Sequence, residues 1–160
     1  MYNAVKQTEY IQLSTYIQQF ATLHVHVEGG NVAPHKPIML LAIIRLISSG
    51  KILNNKILAN DKLKDEFDAL WQRHVLEDST YKPAVWTPYW HLKNEPFWHF
   101  KPLTVGFNVD SLVAPGQTAS IGKIQENIEY AYLDKTLYNL LQSENNRYLL
   151  SRLLIETYLL

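Results

Sequence analysis

Two short stretches of this 160-residue chain gather the residue types that could do chemistry. The first is APHKP, residues 33–37, where His35 and Lys36 stand between two prolines just before a long apolar run. Proline at the start of a helix restricts φ and needs no N–H partner, so the pair is expected at the positive end of a helix dipole. Backbone N–H groups of that turn, together with the Lys36 ammonium, can receive a phosphate. A plainer alternative stays open, in which the prolines only start a core helix and Lys36 is a solvated side chain. The second stretch is TPYWHLKNEPFWHF, residues 87–100, with Tyr89, Trp90, Phe97, Trp98 and Phe100 set around His91 and His99.

Other constellations are weaker. His24 and His26 are two apart, which puts them on different sides of a helix and argues against a shared metal. His91 and His99 lack a carboxylate or thiolate at ligand spacing, so hydrogen bonding or stacking suits them better than metal binding. No Gly-x-Ser-x-Gly elbow, phosphate loop or His-Glu-x-x-His occurs. Asp65 and Asp68 share a stretch with Lys62 and Lys64, as on a solvated helix face. The chain is therefore expected to be non-enzymatic, with no cofactor and no metal.

The elements that must position these residues follow from periodicity. Tyr10, Leu13, Ile17, Phe20 and His24 predict an amphipathic helix over about residues 5–25, broken by Gly29 and Gly30. Residues 38–47 are apolar nearly all round and predict a buried central helix ending at Gly50. Residues 51–60 read as a turn with a short strand, and Asn60 or Asp61 caps a helix that aligns Leu63, Phe67, Leu70, Trp71 and His74. Residues 81–107, rich in aromatic residues and prolines, predict a β-hairpin with a third strand near 103–109. A loop with Pro115 and Gly116 follows. Two helices close the chain, one capped by Asp134 and one starting at Asn145. The fold class is α+β: one predominantly helical domain over residues 1–160, with a buried central helix and a small antiparallel sheet.

Composition narrows the partners. Fifteen Lys and Arg balance fifteen Asp and Glu, so any nucleic-acid surface must be arranged locally. With no cysteine, disulfides, thiolate metal sites and cysteine nucleophiles are excluded. No membrane-length apolar run and no signal-peptide pattern occurs, so a soluble, cytoplasmic protein is expected.

APHKPIMLLAIIRLI, Trp71, TPYWHLKNEPFWHF, YLDKTLYNLL and LLSRLLIETYLL together resemble the sulfur-binding domain of McrA-type modification-dependent restriction endonucleases, over about residues 8–160. The resemblance implies recognition of DNA with a phosphorothioate backbone, serving an HNH nuclease in the same chain or a partner; the last helix, running to Leu160 with no glycine stop, leaves open both the N-terminal part of a longer nuclease and a natural terminus docked on the core, and no HNH motif is present. It also implies a shallow apolar pocket around Pro88, preceded by Thr87, with His35 and Lys36 adjacent and Tyr89 and His91 beside them. Two positions depart from the family's pattern. Thr87 stands where an aromatic is common, and the loop before HKP carries Glu28 where arginines are common. Lys82, Lys93 and Lys101 are the expected substitutes for phosphate contacts, while Asn31, Asn108 and Ser111 are candidates for reading bases. Competing readings are a reader of another DNA modification or of unmodified duplex, and a protein-interaction module using the aromatic hairpin. A hydrolase with His91 or His99 as base ranks last, for want of a nucleophile.

Overall fold

The computed structural model describes residues 2–160. Helix α1 (Tyr2–Ala21) buries Tyr16 and Phe20 and half-buries Leu13 and Ile17. Tyr10, expected on that stripe, is turned to solvent, and His24 lies beyond the helix end. Gly29 and Gly30, with φ of 56° and 81°, form the two-residue turn of a small hairpin, β1 (Val27–Glu28) with β2 (Asn31–Val32). Positive φ at both central residues matches the twist of a tight hairpin, which is why glycines stand there.

Helix α2 (His35–Ser48) is the centre, with every residue from Lys36 to Ile44 buried. It stops at Gly50, whose φ of 75° lets the chain reverse so that Lys51 N–H bonds the Leu46 carbonyl at 2.9 Å. Helix α3 (Asp61–His74) packs along α2 through Leu63, Phe67, Leu70 and Trp71, and the Asn60 side chain caps it by accepting from Leu63 N–H at 3.1 Å.

The expected aromatic hairpin does not form. Residues 86–91 make a short helix, α4 (Trp86–His91), continued by a tight turn over Leu92–Asn94. Val85, Pro88, Tyr89 and Leu92 are all buried, and their i, i+3, i+4, i+7 spacing is that of a helix face. Pro88 sits in the first turn, where its missing N–H costs nothing. Aromatic β-propensity loses here to packing against α2. Only the second arm is a strand: β3 (Trp98–Pro102) pairs antiparallel with a distant segment, β4 (Ile128–Leu133), in the register Trp98↔Leu133 and Phe100↔Ala131. His91 and His99 therefore do not face each other across a ribbon. The third strand expected near 103–109 is instead irregular chain before a tight turn over Val109–Leu112.

Helix α5 (Ile121–Asn127) leads into β4, and α6 (Lys135–Leu140) and α7 (Glu144–Leu154) pack against α1. The chain ends in a wider helical turn over Ile155–Leu159. Asp134 begins α6 without capping it through its side chain; the carboxylate instead accepts from Tyr16 Oη at 2.9 Å and His99 Nε2 at 2.6 Å. One apolar cluster runs through α1 to α7 and the β3–β4 sheet, and no helix among the described residues is long and apolar enough to cross a membrane.

Candidate nucleic-acid interface

The N-terminus of α2 and the first turn of α4 meet at a cleft of about 430 Å³. From the α2 side come Ala33, His35 and Lys36; from α4 come Thr87, Pro88 and His91; Asn94, Tyr81 and the segment from His24 to His26 complete the rim. Pro88, Val25 and Ala33 supply an apolar lining. Among the described hydrogen bonds, the backbone N–H groups of His35 and Lys36 find no side-chain cap, because Pro34 occupies the cap position and offers none. Such a helix end favours an anion.

The two basic residues of the corner are restrained in different ways. The His35 ring packs on Trp71 at 4.7 Å and its Nε2–H donates to the Lys82 carbonyl at 2.8 Å. A carbonyl only accepts, so this bond assigns the proton to Nε2 and leaves Nδ1 as an acceptor in the neutral ring. Burial pushes the His35 pKa below its ordinary value, against the opposing pull of that hydrogen bond. His35 is thus a neutral wall of the cleft at pH 7, not a cation.

Lys36 keeps only 9% of its surface exposed and donates to Glu95 Oε2 at 2.8 Å and to the His24 carbonyl at 2.7 Å. Glu95, 3% exposed, also accepts from His24 N–H at 3.0 Å and from His24 Nδ1 at 3.2 Å. The ammonium therefore reaches the cleft with its charge already balanced. Removing one partner of such a pair leaves a buried charge uncompensated, at a cost of about 3–5 kcal/mol.

His91 is half-buried, with Nε2 2.8 Å from Thr118 Oγ1. Burial, then the nearby Lys36 and Lys93 charges, lower its pKa. Thr87 lines this cleft and also a neighbouring one, about 580 Å³, walled by Trp71, Trp86, Thr118 and Ser120.

The structure brings His35, Lys36, Thr87, Pro88 and His91 together and leaves Tyr89 out. Tyr89 is fully buried beneath α4, where its hydroxyl donates to the Ile57 carbonyl at 2.8 Å. Both residues belong to the buried face of α4, yet only Pro88 reaches the cleft lining. Of the lysines expected to hold phosphates, Lys93 pairs with Asp110 at 3.0 Å and Lys101 with Glu129 at 3.6 Å. Lys82 is exposed and has no acidic partner among the described residues. Glu28 stands 3.8 Å from His26, two residues earlier on the same exposed arm of the hairpin. Asn108 and Ser111 are occupied in their own turn, with Asn108 Oδ1 accepting from Asp110 N–H and Ser111 Oγ donating to the Asn108 carbonyl. Asn31 is exposed on β2, where its carbonyl accepts from Tyr81 Oη at 2.9 Å. Sequence reasoning missed Val25, Tyr81, Asn94 and Glu95, which reach the cleft or its base only through tertiary contacts. No group of three or more His, Asp or Glu capable of holding a metal occurs among the described residues.

The sequence matches the family described as "ScoMcrA-like, DNA sulfur-binding domain" over residues 13–160. The chain belongs to that family. A solved structure described as "Sulfur binding domain of ScoMcrA complexed with phosphorothioated DNA" superposes on the domain with a TM-score of 0.65. The superposition covers 89% of this chain and 86% of that one at 17% sequence identity, a likeness of fold. No curated protein matches the sequence significantly.

Proposed function

We propose that this sulfur-binding family member recognises duplex DNA carrying a phosphorothioate, seating the sulfur over Pro88, and that it performs no catalysis itself. The observation that carries the reading is the meeting of an apolar floor and an uncapped helix N-terminus in one cleft. Replacing a non-bridging oxygen by sulfur keeps the negative charge on a larger, less strongly hydrated atom. An apolar seat accepts that atom readily, whereas oxygen entering it would lose water without replacement. The solved relative in complex with phosphorothioated DNA supports the choice of ligand.

In this reading Pro88 and Thr87 contact the sulfur, and Lys36 with the first N–H groups of α2 holds the remaining phosphate oxygen. His35 and His91 shape the walls, and Lys82 contacts a neighbouring phosphate. Tyr89 contributes as the pillar beneath α4. Lys93 and Lys101, each beside a carboxylate, contribute less. Residues 1–160 act as a single recognition unit in the cytoplasm for a fused or partner nuclease.

Gel shifts with matched duplexes, with and without one phosphorothioate, test this at two salt concentrations. Tighter binding of the modified duplex is expected, and Pro88→Ala should lower the preference by about tenfold while changing affinity for ordinary DNA much less. Equal binding of both duplexes by the unaltered domain would overturn the sulfur reading and leave general DNA binding. Absence of binding at low salt would point to a protein partner instead.

A further inference from the structure

We propose that Glu95 sets how strongly the cleft prefers sulfur to oxygen by cancelling the charge of Lys36; this rests on the phosphorothioate reading above. Glu95 is nearly inaccessible, lies behind the cleft and holds Lys36 Nζ at 2.8 Å. The same carboxylate gathers His24 N–H and Nδ1, so three donors converge on it. Lys36 Nζ spends two of its three N–H groups on Glu95 and the His24 carbonyl, which leaves one for a ligand.

A phosphodiester and its phosphorothioate carry the same single charge. A bare ammonium in a water-poor cleft would attract both, and would favour oxygen, whose charge is more concentrated and whose charge-assisted hydrogen bond is stronger. With the carboxylate 2.8 Å behind it, the ammonium pulls weakly on either ligand. What then separates them is the cost of stripping water, which is higher for oxygen. The buried carboxylate thus weakens attraction to all DNA and in return preserves selectivity. An exposed carboxylate would be screened by solvent and could not do this as well.

The test is Glu95→Gln, which keeps the shape and an acceptor oxygen while removing the charge. Affinities are measured for the same two duplexes, with thermal melting as the check on folding. Binding of the unmodified duplex should tighten by about tenfold, the modified duplex should gain less, and the preference should fall by about fivefold. The salt exponent for unmodified DNA should grow by about one phosphate's worth. The double variant Lys36→Gln with Glu95→Gln restores neutrality, so it should bind both duplexes more weakly and keep the preference within about twofold. If the single variant melts below the assay temperature, the double variant decides alone: a retained preference supports the inference and a lost one overturns it. An equal change for both duplexes in Glu95→Gln, or none, also overturns it. Should the unaltered domain already bind both duplexes equally, the phosphorothioate reading fails and this inference with it. Selectivity in the unaltered domain combined with an unchanged ratio in Glu95→Gln sinks the role of Glu95 alone.

Discussion

Single residues in the cleft are tuned by their surroundings more than by their type. His35 and His91 both have pKa values pushed down, chiefly by burial, so each is neutral in the folded protein near pH 7. The unfolded chain, with histidines near 6.5, takes up protons first as the pH falls. These residues therefore contribute stability in full above about pH 6.5 and lose it as the pH drops through their folded values. Urea denaturation is expected to show falling stability between about pH 7 and pH 5, and His35→Gln, which can still donate to the Lys82 carbonyl, should flatten part of that fall. An identical pH profile in the variant would mean that His35 does not titrate with unfolding. His35 was legible in the sequence as a residue at a helix start, but its neutrality was not. That depends on Trp71 and the Lys82 carbonyl, which come from elsewhere in the chain.

At the level of elements, α2 was readable because an apolar run bounded by proline and glycine leaves few alternatives. Helix α4 was misread, although Val85, Pro88, Tyr89 and Leu92 carry a helical spacing within an aromatic segment of high β-propensity. Tyr89 shows what settles the matter. Its hydroxyl donates to the Ile57 carbonyl and accepts from Ala131 N–H at 3.2 Å, where Ile57 bridges β4. Helix α4 is thereby tied to the sheet, with Pro88 left to line the cleft. Tyr89→Phe should lower unfolding free energy by about 0.5–1.5 kcal/mol, the net worth of one hydrogen bond, because the Ile57 carbonyl keeps the Ala131 N–H at 2.9 Å. Chemical denaturation checks this; a loss within error would mean that apolar packing alone fixes α4. Strand β4 was overlooked because its partner lies some thirty residues earlier, and pairing at that range leaves no local signature.

Across the whole molecule, charge constrains function as firmly as the cleft does. Fifteen basic and fifteen acidic residues give no net attraction to DNA, and Lys93, Lys101 and Lys36 each stand beside a carboxylate. Few phosphates can therefore be neutralised. The logarithm of the association constant for modified DNA is expected to fall against log salt with a slope of about −2 to −3, far shallower than for a strongly basic binder. Fluorescence anisotropy over a range of salt measures it; a slope steeper than about −5 would require a basic surface beyond this cleft. In the proposed mode of binding, the same balance makes the uncapped α2 terminus and the cleft lining, rather than long-range steering, the sources of affinity.

The sequence by itself determined the α+β class, the buried helix after HKP, its stop at Gly50 and a cap at Asn60 or Asp61, because each is written in local spacing; an HKP corner beside Pro88 was only what the family resemblance implied. Only the tertiary structure decided that TPYWHL is a helix, that Tyr89 faces the core while Pro88 faces the cleft, and that Lys36 arrives already matched by Glu95. Lys36 and Glu95 are separated by nearly all of α2, by α3 and by α4, with the loops between them. Which charges meet across such a distance depends on how α2 and α4 pack, and packing is a property of the assembled core.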